Sequence, residues 1–468
     1  MKKIVASLIM LGASLPAWAT DGYFSHGYGM TAKGMGGAAT ATASDAFGGA
    51  NNPASMVWVG SRLDLGVDLF SPRRSVERTG SLTPGIAVNG RVDSDSNLFL
   101  VPEFGYNRML DANRSLGLTV YGNGGMNTNY PGGQIGAASM CAGFDPKGPG
   151  VGAPYNMLCG SGKLGQNLEQ LIISPTFAMK VNKDNSFGAS LLVGYQRFKA
   201  EGLDGFYGFT PNALTAPGGI AANNHLTNQG TNTSWGYGVK LGWMSKFSDW
   251  VTLGAAYTSK MKMKKFDKYR ELFAGQGAFD MPDSLTLGVA LKATPQVTVA
   301  ADYQRINYGG INSVANASNA NSAFAGLAPN SLFPGFPGAP AGTVGSLGCD
   351  SCRGFGWSSI NVVKLGVEYQ YSPVLKLRAG YNHSDNPIQG RDVTFNIIAP
   401  GVVQDHVTLG FTYALSKTSD LTMAYMHAYN NSVTGSSLFN TWSQGAPAGT
   451  ERIQMYQNSL GIAYSLKL

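Results

Sequence analysis

The sequence alternates, and does so repeatedly. Between Val407 and Leu415 the odd positions are Val407, Leu409, Phe411, Tyr413 and Leu415, and the even ones are Thr408, Gly410, Thr412 and Ala414. The chain end follows the same rule with opposite parity: Leu460, Ile462, Tyr464, Leu466 and Leu468 against Gly461, Ala463, Ser465 and Lys467. Alternate side chains of a strand face opposite sides. Each such segment therefore predicts a strand with one apolar, aromatic face and one small or polar face. The pattern returns at Leu171–Met179, Leu285–Leu291, Val363–Tyr371 and Leu375–Tyr381.

A soluble sandwich alternates too, but it turns bulky charged residues outward. Here the polar face is Gly, Ala, Ser and Thr with isolated charges, and charged residues are only 13% of the chain, against roughly 25% in soluble domains. Such a face suits a crowded lumen and its partner face suits lipid. In a bilayer every backbone polar group needs a partner, which forces the sheet to close. The expected fold is an all-β transmembrane antiparallel barrel of about 14 strands, each reaching the roughly 9–11 residues a tilted span requires. Their expected spans are 61–79, 96–110, 113–130, 166–182, 185–205, 232–247, 249–268, 279–294, 295–309, 355–372, 373–389, 402–415, 419–433 and 451–468. Short connections near 111–113, 182–185, 247–249, 294–295, 372–373 and 416–418 alternate with long ones near 131–165, 206–231, 310–354 and 434–450. Tight periplasmic turns and extended outer loops give that asymmetry. The expected location is the cell outer membrane.

The first residues agree. Lys2 and Lys3 precede the short apolar run Ile4 to Leu15, and Ala17-Trp18-Ala19 is a small-x-small cleavage site, which together read as an export signal over residues 1–19. Beyond it no apolar run reaches the roughly 20 residues of a helical span. The barrel then occupies 61–468. Residues 20–60 are Gly- and Ala-rich and do not alternate. They are either a tail or a hatch folded into the lumen, and their small apolar side chains favour the hatch.

The formal charge of +7 contains no long basic run. No nucleic-acid partner is expected; a basic lumen, or contact with outer-membrane lipid and the phosphates of lipopolysaccharide, accounts for the charge better. Cys141, Cys159, Cys349 and Cys352 fall in loops, and export permits disulfides. The local pairing joins Cys141 to Cys159 and Cys349 to Cys352; the two other pairings stay open. A single Cys-Asp-Ser-Cys without a second pair is a weak metal signal. The five histidines, His26, His225, His383, His406 and His427, lack metal spacing, and His383 with Asp385 has no serine partner. No metal, cofactor or enzymatic activity is expected.

Two further segments stand out. Phe324, Leu327, Leu332, Phe333 and Phe336 lie in a loop with no charge between Arg305 and Asp350. Exposed apolar patches mark binding surfaces, so these residues are candidates to capture a hydrophobic small-molecule ligand. The third strand alternates cleanly through Leu116-Gly117-Leu118-Thr119-Val120-Tyr121 and then meets Gly122-Asn123-Gly124-Gly125. Glycine inside a strand weakens pairing and marks a bulge or bend. The cluster is either a break in the wall or the point where the strand ends.

Gly34-Met35-Gly36-Gly37-Ala38, then Ala43-Ser44-Asp45-Ala46, then Asn52-Pro53-Ala54, resemble the N-terminal hatch of the long-chain fatty acid transporter family of outer-membrane proteins, which includes aromatic-hydrocarbon uptake proteins. Asp385-Asn386-Pro387-Ile388 and Tyr425-Met426-His427 resemble the family's loop after the eleventh strand and its thirteenth strand. The likeness covers essentially the whole mature chain. It implies a monomeric barrel closed by a hatch that carries Asn52, Pro53 and Ala54. It also implies ligands, long-chain fatty acids or neutral hydrocarbons, that are taken up by the outer loops and leave sideways through a kinked third strand. That places the exit at Gly122, Asn123, Gly124 and Gly125. The sequence departs from the family in two places. An Arg that helps hold the fatty-acid carboxylate at the top of the fifth strand aligns with Gly202, leaving the nearby Arg197 and Lys199 as candidate head-group contacts, and the chain ends in Leu468 rather than Phe. A general porin, or an adhesin without a transport role, is the alternative reading.

Overall fold

Each alternating segment is a strand. In chain order they are β1 (Arg62–Thr79), β2 (Phe99–Met109), β3 (Arg114–Tyr130), β4 (Leu164–Lys180), β5 (Asn185–Glu201), β6 (Asn232–Lys246), β7 (Val251–Thr258), β8 (Ser284–Lys292), β9 (Val297–Ile306), β10 (Ile360–Ser372), β11 (Leu375–Ser384), β12 (Asp405–Ala414), β13 (Ser419–Ser436) and β14 (Thr450–Lys467). The structure is a computed structural model and describes residues 21–83, 86–87, 89–137, 139–211, 224–320, 347–439 and 449–468. The expected export signal lies outside the described residues, and so do Phe324, Leu327, Leu332, Phe333 and Phe336.

Every strand pairs antiparallel with its chain neighbours, and β14 returns to β1 from Lys467 opposite Arg62 up to Thr450 opposite Thr79. The ring of fourteen is closed, which satisfies the bilayer's demand that backbone groups pair internally. The faces divide as the alternation requires. Leu65, Leu69, Leu409, Tyr413, Leu460, Ile462 and Tyr464 are exposed on the outside, while Asp64, Asp68, Thr408, Ser459 and Ser465 are buried within. The short turns gather at one end and are built by side chains that mimic backbone acceptors. Asp111 accepts from Asn113 N at 2.8 Å, and Asn182 accepts from Asp184 N at 2.9 Å and Asn185 N at 2.7 Å.

Several strands are shorter than their patterns suggest, β8, β9, β10 and β12 among them, and β7 and β11 show how a strand is cut short. The segment expected at 249–268 pairs continuously only to Thr258, because the Ser259 hydroxyl takes the Val239 N–H at 3.0 Å in place of a strand carbonyl. Pairing with β6 resumes for two residues, with Lys262 opposite Tyr237 and Met263 opposite Gly236. The segment expected at 373–389 ends at Ser384, after which Asn386 closes a turn by accepting from Ile388 N at 3.0 Å. Pro387 has no N–H to donate to a ladder, so regular pairing does not run through it.

Residues 21–60 fill the ring. They form a short helix, α1 (Met30–Gly34), and a 3₁₀ turn, Pro53–Trp58. The room comes from inward-facing glycines of the wall. A Cβ at Gly242 would lie 2.1 Å from Asn52 Oδ1, one at Gly254 2.1 Å from Thr40 O, and one at Gly380 2.1 Å from Gly36 N. The small-residue face of the strands is thus the imprint of the chain packed against it. At the opposite end the outer loops share an apolar core that includes Phe144, Leu158, Phe206, Phe395 and Phe439. Cys141 is bonded to Cys159, and Cys349 to Cys352, within these loops.

Candidate functional site

The lumen charges act mainly on the segment that fills it. Lys33 of α1 donates to Asp68 of β1 at 2.9 Å and to Glu103 of β2. All three side chains are at most 3% exposed. Asp302 of β9 accepts from Ala39 N and Thr40 N, both at 2.9 Å, and Asp64 accepts from Ala46 N at 2.7 Å. Lys364 donates to His26 O at 2.9 Å, and Lys240 donates to Ala50 O. A buried charge is costly unless it is paired; here the filling segment supplies most of the partners. Asn52 links three pieces of chain. Its amide donates to Thr40 O at 2.7 Å and Trp243 O at 2.9 Å, and its oxygen accepts from Ala54 N at 3.1 Å. Pro53 and Ala54 sit over Gly188, whose added Cβ would be 2.3 Å from Pro53 C.

The wall is interrupted at β3. Its pairing with β2 runs from Met109 opposite Ser115 to Phe104 opposite Val120 and stops there, while β3 continues to Tyr130 against β4 alone. Continued register would set Gly122 against Pro102, and a nitrogen without hydrogen belongs at the margin of a ladder. On the β4 side Gly122 faces Leu171 and Gly124 faces Gln170, so Asn123 is an extra residue, a bulge. The N-terminal segment takes up part of the freed edge. Ser25 N donates to Asn123 O at 3.1 Å and Gly125 N donates to Tyr23 O at 3.0 Å. A Cβ on Gly124 would fall 1.8 Å from Tyr23 O, so only glycine permits this contact. Of the two readings of the glycine cluster, strand end or break within a strand, the register fits the break.

A run of aromatic contacts leads to that point from the outer loops. Ring centroids are 4.7 Å apart for Phe198 and Phe273, 5.0 Å for Phe273 and Phe279, 6.2 Å for Phe279 and Tyr23, and 5.4 Å for Tyr23 and Phe24. Phe24 is bridged to Gly124. Within the loop core a small apolar cavity of about 20 Å³, lined by Leu158, Leu203, Phe206, Leu272 and Phe273 among others, has room for little more than a water. The short-turn end is different. A cavity of about 600 Å³ opens there below the filling segment, lined by Trp58, Lys246, Lys292, Glu368, Lys376 and Lys467 among others. Glu368 pairs with Lys376 at 3.2 Å and Arg378 at 2.7 Å.

Arg197 and Lys199 do not face the lumen. In β5 they share parity with the outward Val193 and Tyr195, and Arg197 stands opposite Thr233 of β6. The expectation of head-group contacts inside the barrel is corrected: the same alternation that places Tyr195 in lipid puts both cations on the outer surface. Arg197 pairs there with Glu169 at 3.4 Å and Lys199 with Glu201 at 2.7 Å. Gly202 occupies a turn with φ of +74°, its carbonyl held by Asn156 Nδ2 at 2.8 Å. That conformation suits glycine and leaves no side chain to meet an anion. Lys33, Asp68 and Glu103 were not prominent in the sequence; charges at inward parity within otherwise clean strands, such as Asp68 between Val67 and Leu69, are the signal that finds them.

A closed fourteen-stranded antiparallel ring whose lumen is filled by its own N-terminal segment defines an outer-membrane β-barrel. Residues 156–466 match the profile of the outer membrane protein transport proteins (OMPP1/FadL/TodX), and the chain belongs to that family. A curated relative, the outer membrane protein NMB0088 of Neisseria meningitidis serogroup B, is 22% identical over 265 residues, 55% of this chain and 56% of that protein. The chain thus aligns with little more than half the length of that relative. The fold is shared with the Pseudomonas putida toluene transporter TodX, at 20% identity and a TM-score of 0.60 over 95% of this chain and 99% of that one. It is shared also with a Pseudomonas aeruginosa FadL homologue, at 14% identity and 0.61 over 95% and 99%. The Ralstonia pickettii toluene transporter TbuX gives 16% and 0.57 over the same shares.

Proposed function

We propose that the protein carries neutral hydrophobic small molecules inward across the outer membrane, with residues 21–60 as a hatch and the gap between β2 and β3 as a side exit. The observation that carries this reading is the end of β2–β3 pairing at Val120, directly below the Asn123 bulge. The aromatic run from Phe198 to Phe24 supplies an apolar path to that gap, and Phe324, Leu327, Leu332, Phe333 and Phe336 are the proposed capture residues on the apolar composition of their sequence. Neutral cargo fits better than carboxylates, because Gly202 offers no side chain and Arg197 and Lys199 face away from the path. The toluene transporters that share the fold point the same way.

The exit is sideways for an energetic reason. Burial is worth about 25 cal/mol per Å² of apolar surface, so a solute of roughly 200 Å² holds roughly 5 kcal/mol by staying out of water. The charged cavity at the short-turn end would forfeit that gain; the bilayer beside β3 would keep it. Deleting Asn123 tests the route. Removal leaves Gly122 opposite Leu171 and Gly124 opposite Gln170 as consecutive pairs, so the β3–β4 register is kept while the bulge is lost. Uptake of labelled toluene should fall at least several-fold, with the faster gel mobility of the unboiled barrel retained. Unchanged uptake in a folded deletion variant would refute the side exit.

A further inference from the structure

The two cations displaced from the lumen belong to a second group of residues. Above the apolar band on the outer surface, the Tyr195 and Trp235 rings pack at a tilt with centroids 4.7 Å apart, and Tyr237 beside them is 70% exposed. Aromatic side chains collect where hydrocarbon meets head groups. On β6 the outward aromatic Trp243 lies eight positions further down, about 27 Å along the strand and about 20 Å along the membrane normal at a tilt near 40°. Tyr195 and Trp235 therefore mark the outer interface. Arg197 stands one outward position above Tyr195, level with Thr233, and Lys199 one further. On the other side of β6, Lys264 N donates to Trp235 O at 2.8 Å. Met263 is buried against the wall, so its neighbour Lys264 points outward. Lys268 N donates to Asn232 Oδ1 at 2.9 Å and its Nζ to Thr231 O at 3.0 Å. Four cations thus flank the top of one strand, two on each side, about 10 Å apart across two strand spacings.

We infer that Arg197, Lys199, Lys264 and Lys268 form a clamp for the phosphates of an acylated, phosphorylated sugar lipid of the outer leaflet, with Tyr195, Trp235 and Tyr237 against its acyl chains. The neighbouring acids do not cancel the site. Glu169 takes one edge of Arg197 and Glu201 takes Lys199, while no ion pair is formed by Lys264 or Lys268 among the described residues. An ammonium carries three donors and a guanidinium five, so each cation keeps donors for a phosphate. Charge and depth select the same ligand. A phosphate at head-group height meets cations, and the chains below it meet an aromatic and aliphatic wall that extends through Val193, Leu191 and Val239.

The full-length barrel in neutral detergent, with Trp235 fluorescence as reporter, provides the test. The probes are bisphosphorylated lipid A, the same lipid with both phosphates removed, and inorganic phosphate. Lipid A should bind with an affinity that falls steeply with salt, the dephosphorylated lipid at least tenfold more weakly, and inorganic phosphate not at millimolar concentration. Lys199→Gln/Lys264→Gln/Lys268→Gln should weaken lipid A binding at least tenfold while toluene uptake persists. Saturation by inorganic phosphate alone would reduce the site to a simple anion site and overturn the lipid assignment. Equal binding of the two lipids by the unaltered protein would overturn the clamp without recourse to any variant, as would full binding by the folded triple variant.

Discussion

Replacing Lys33 by Met removes a charge from the centre of the lumen at nearly constant volume. The ammonium lies 2.9 Å from Asp68 and also donates to Glu103, all three out of contact with water. Without it two carboxylates share a dry site. Breaking a buried ion pair on one side costs about 3–5 kcal/mol. Here the lower end applies, because Ser459 Oγ still donates to Asp68 at 2.6 Å and Gly29 N to Glu103 at 3.2 Å. At about 1.4 kcal/mol per factor of ten, a loss of about 3 kcal/mol shifts the ratio of seated to unseated segment by roughly a hundredfold. In planar bilayers Lys33→Met should show conducting events that the parent lacks. Lys33→Met/Asp68→Asn/Glu103→Gln should be quiet again, since neutral isosteres remove the stranded charge. A single variant as quiet as the parent would refute the latch. Burial alone would strip the proton from Lys33, but Asp68 and Glu103 outweigh it and hold the ammonium above its ordinary range. Its contribution is therefore complete below the usual lysine pKa, neutral pH included, and is lost as pH rises through the raised value. The share of the closure that Lys33 supplies should fail only in strongly alkaline buffer.

Asn52→Ala deprives Thr40 O, Trp243 O and Ala54 N of a buried partner, each omission worth about 1–3 kcal/mol; amide exchange across residues 40–54 should quicken at least tenfold, and unchanged exchange would count against its bracing role. Mass spectrometry of unreduced peptides should recover the Cys141–Cys159 and Cys349–Cys352 links from exported protein, and free thiols or crossed pairs would contradict that connectivity.

What was legible in the sequence was what repeats every two residues. The segment from Val407 to Leu415 reads directly as β12, and the short turns at Asp111 and Asn182 announce themselves by the side chains that build them. The end of β7 did not read, because the departure depends on one hydroxyl, that of Ser259, competing with a carbonyl. The outward direction of Arg197 and Lys199 is legible from their parity with Tyr195; nearness to the top of β5 is no measure of access to the lumen. The pairing of Lys33 with Asp68 and Glu103 was not legible, since residues 35 and 70 positions apart meet only once β1 and β2 have paired and the N-terminal segment has folded onto them. The wall glycines were visible as small residues, but what they accommodate was not.

Residues 21–60 touch staves from both ends of the chain. Gly36 N reaches Thr408 of β12 across 372 positions, and Ala39 N reaches Asp302 across 263. Such contacts span most of the chain, and they are rewarded only after the intervening loop has been closed. A segment that precedes every strand in the chain is therefore the last to find its place. Until β14 has paired with β1 there is no closed lumen for it to enter, and its apolar side chains wait unburied until then. A variant that slows ring closure without changing the finished barrel should reveal itself in this segment, as a proteolytic cut near residue 40 in a chain whose strands are otherwise intact.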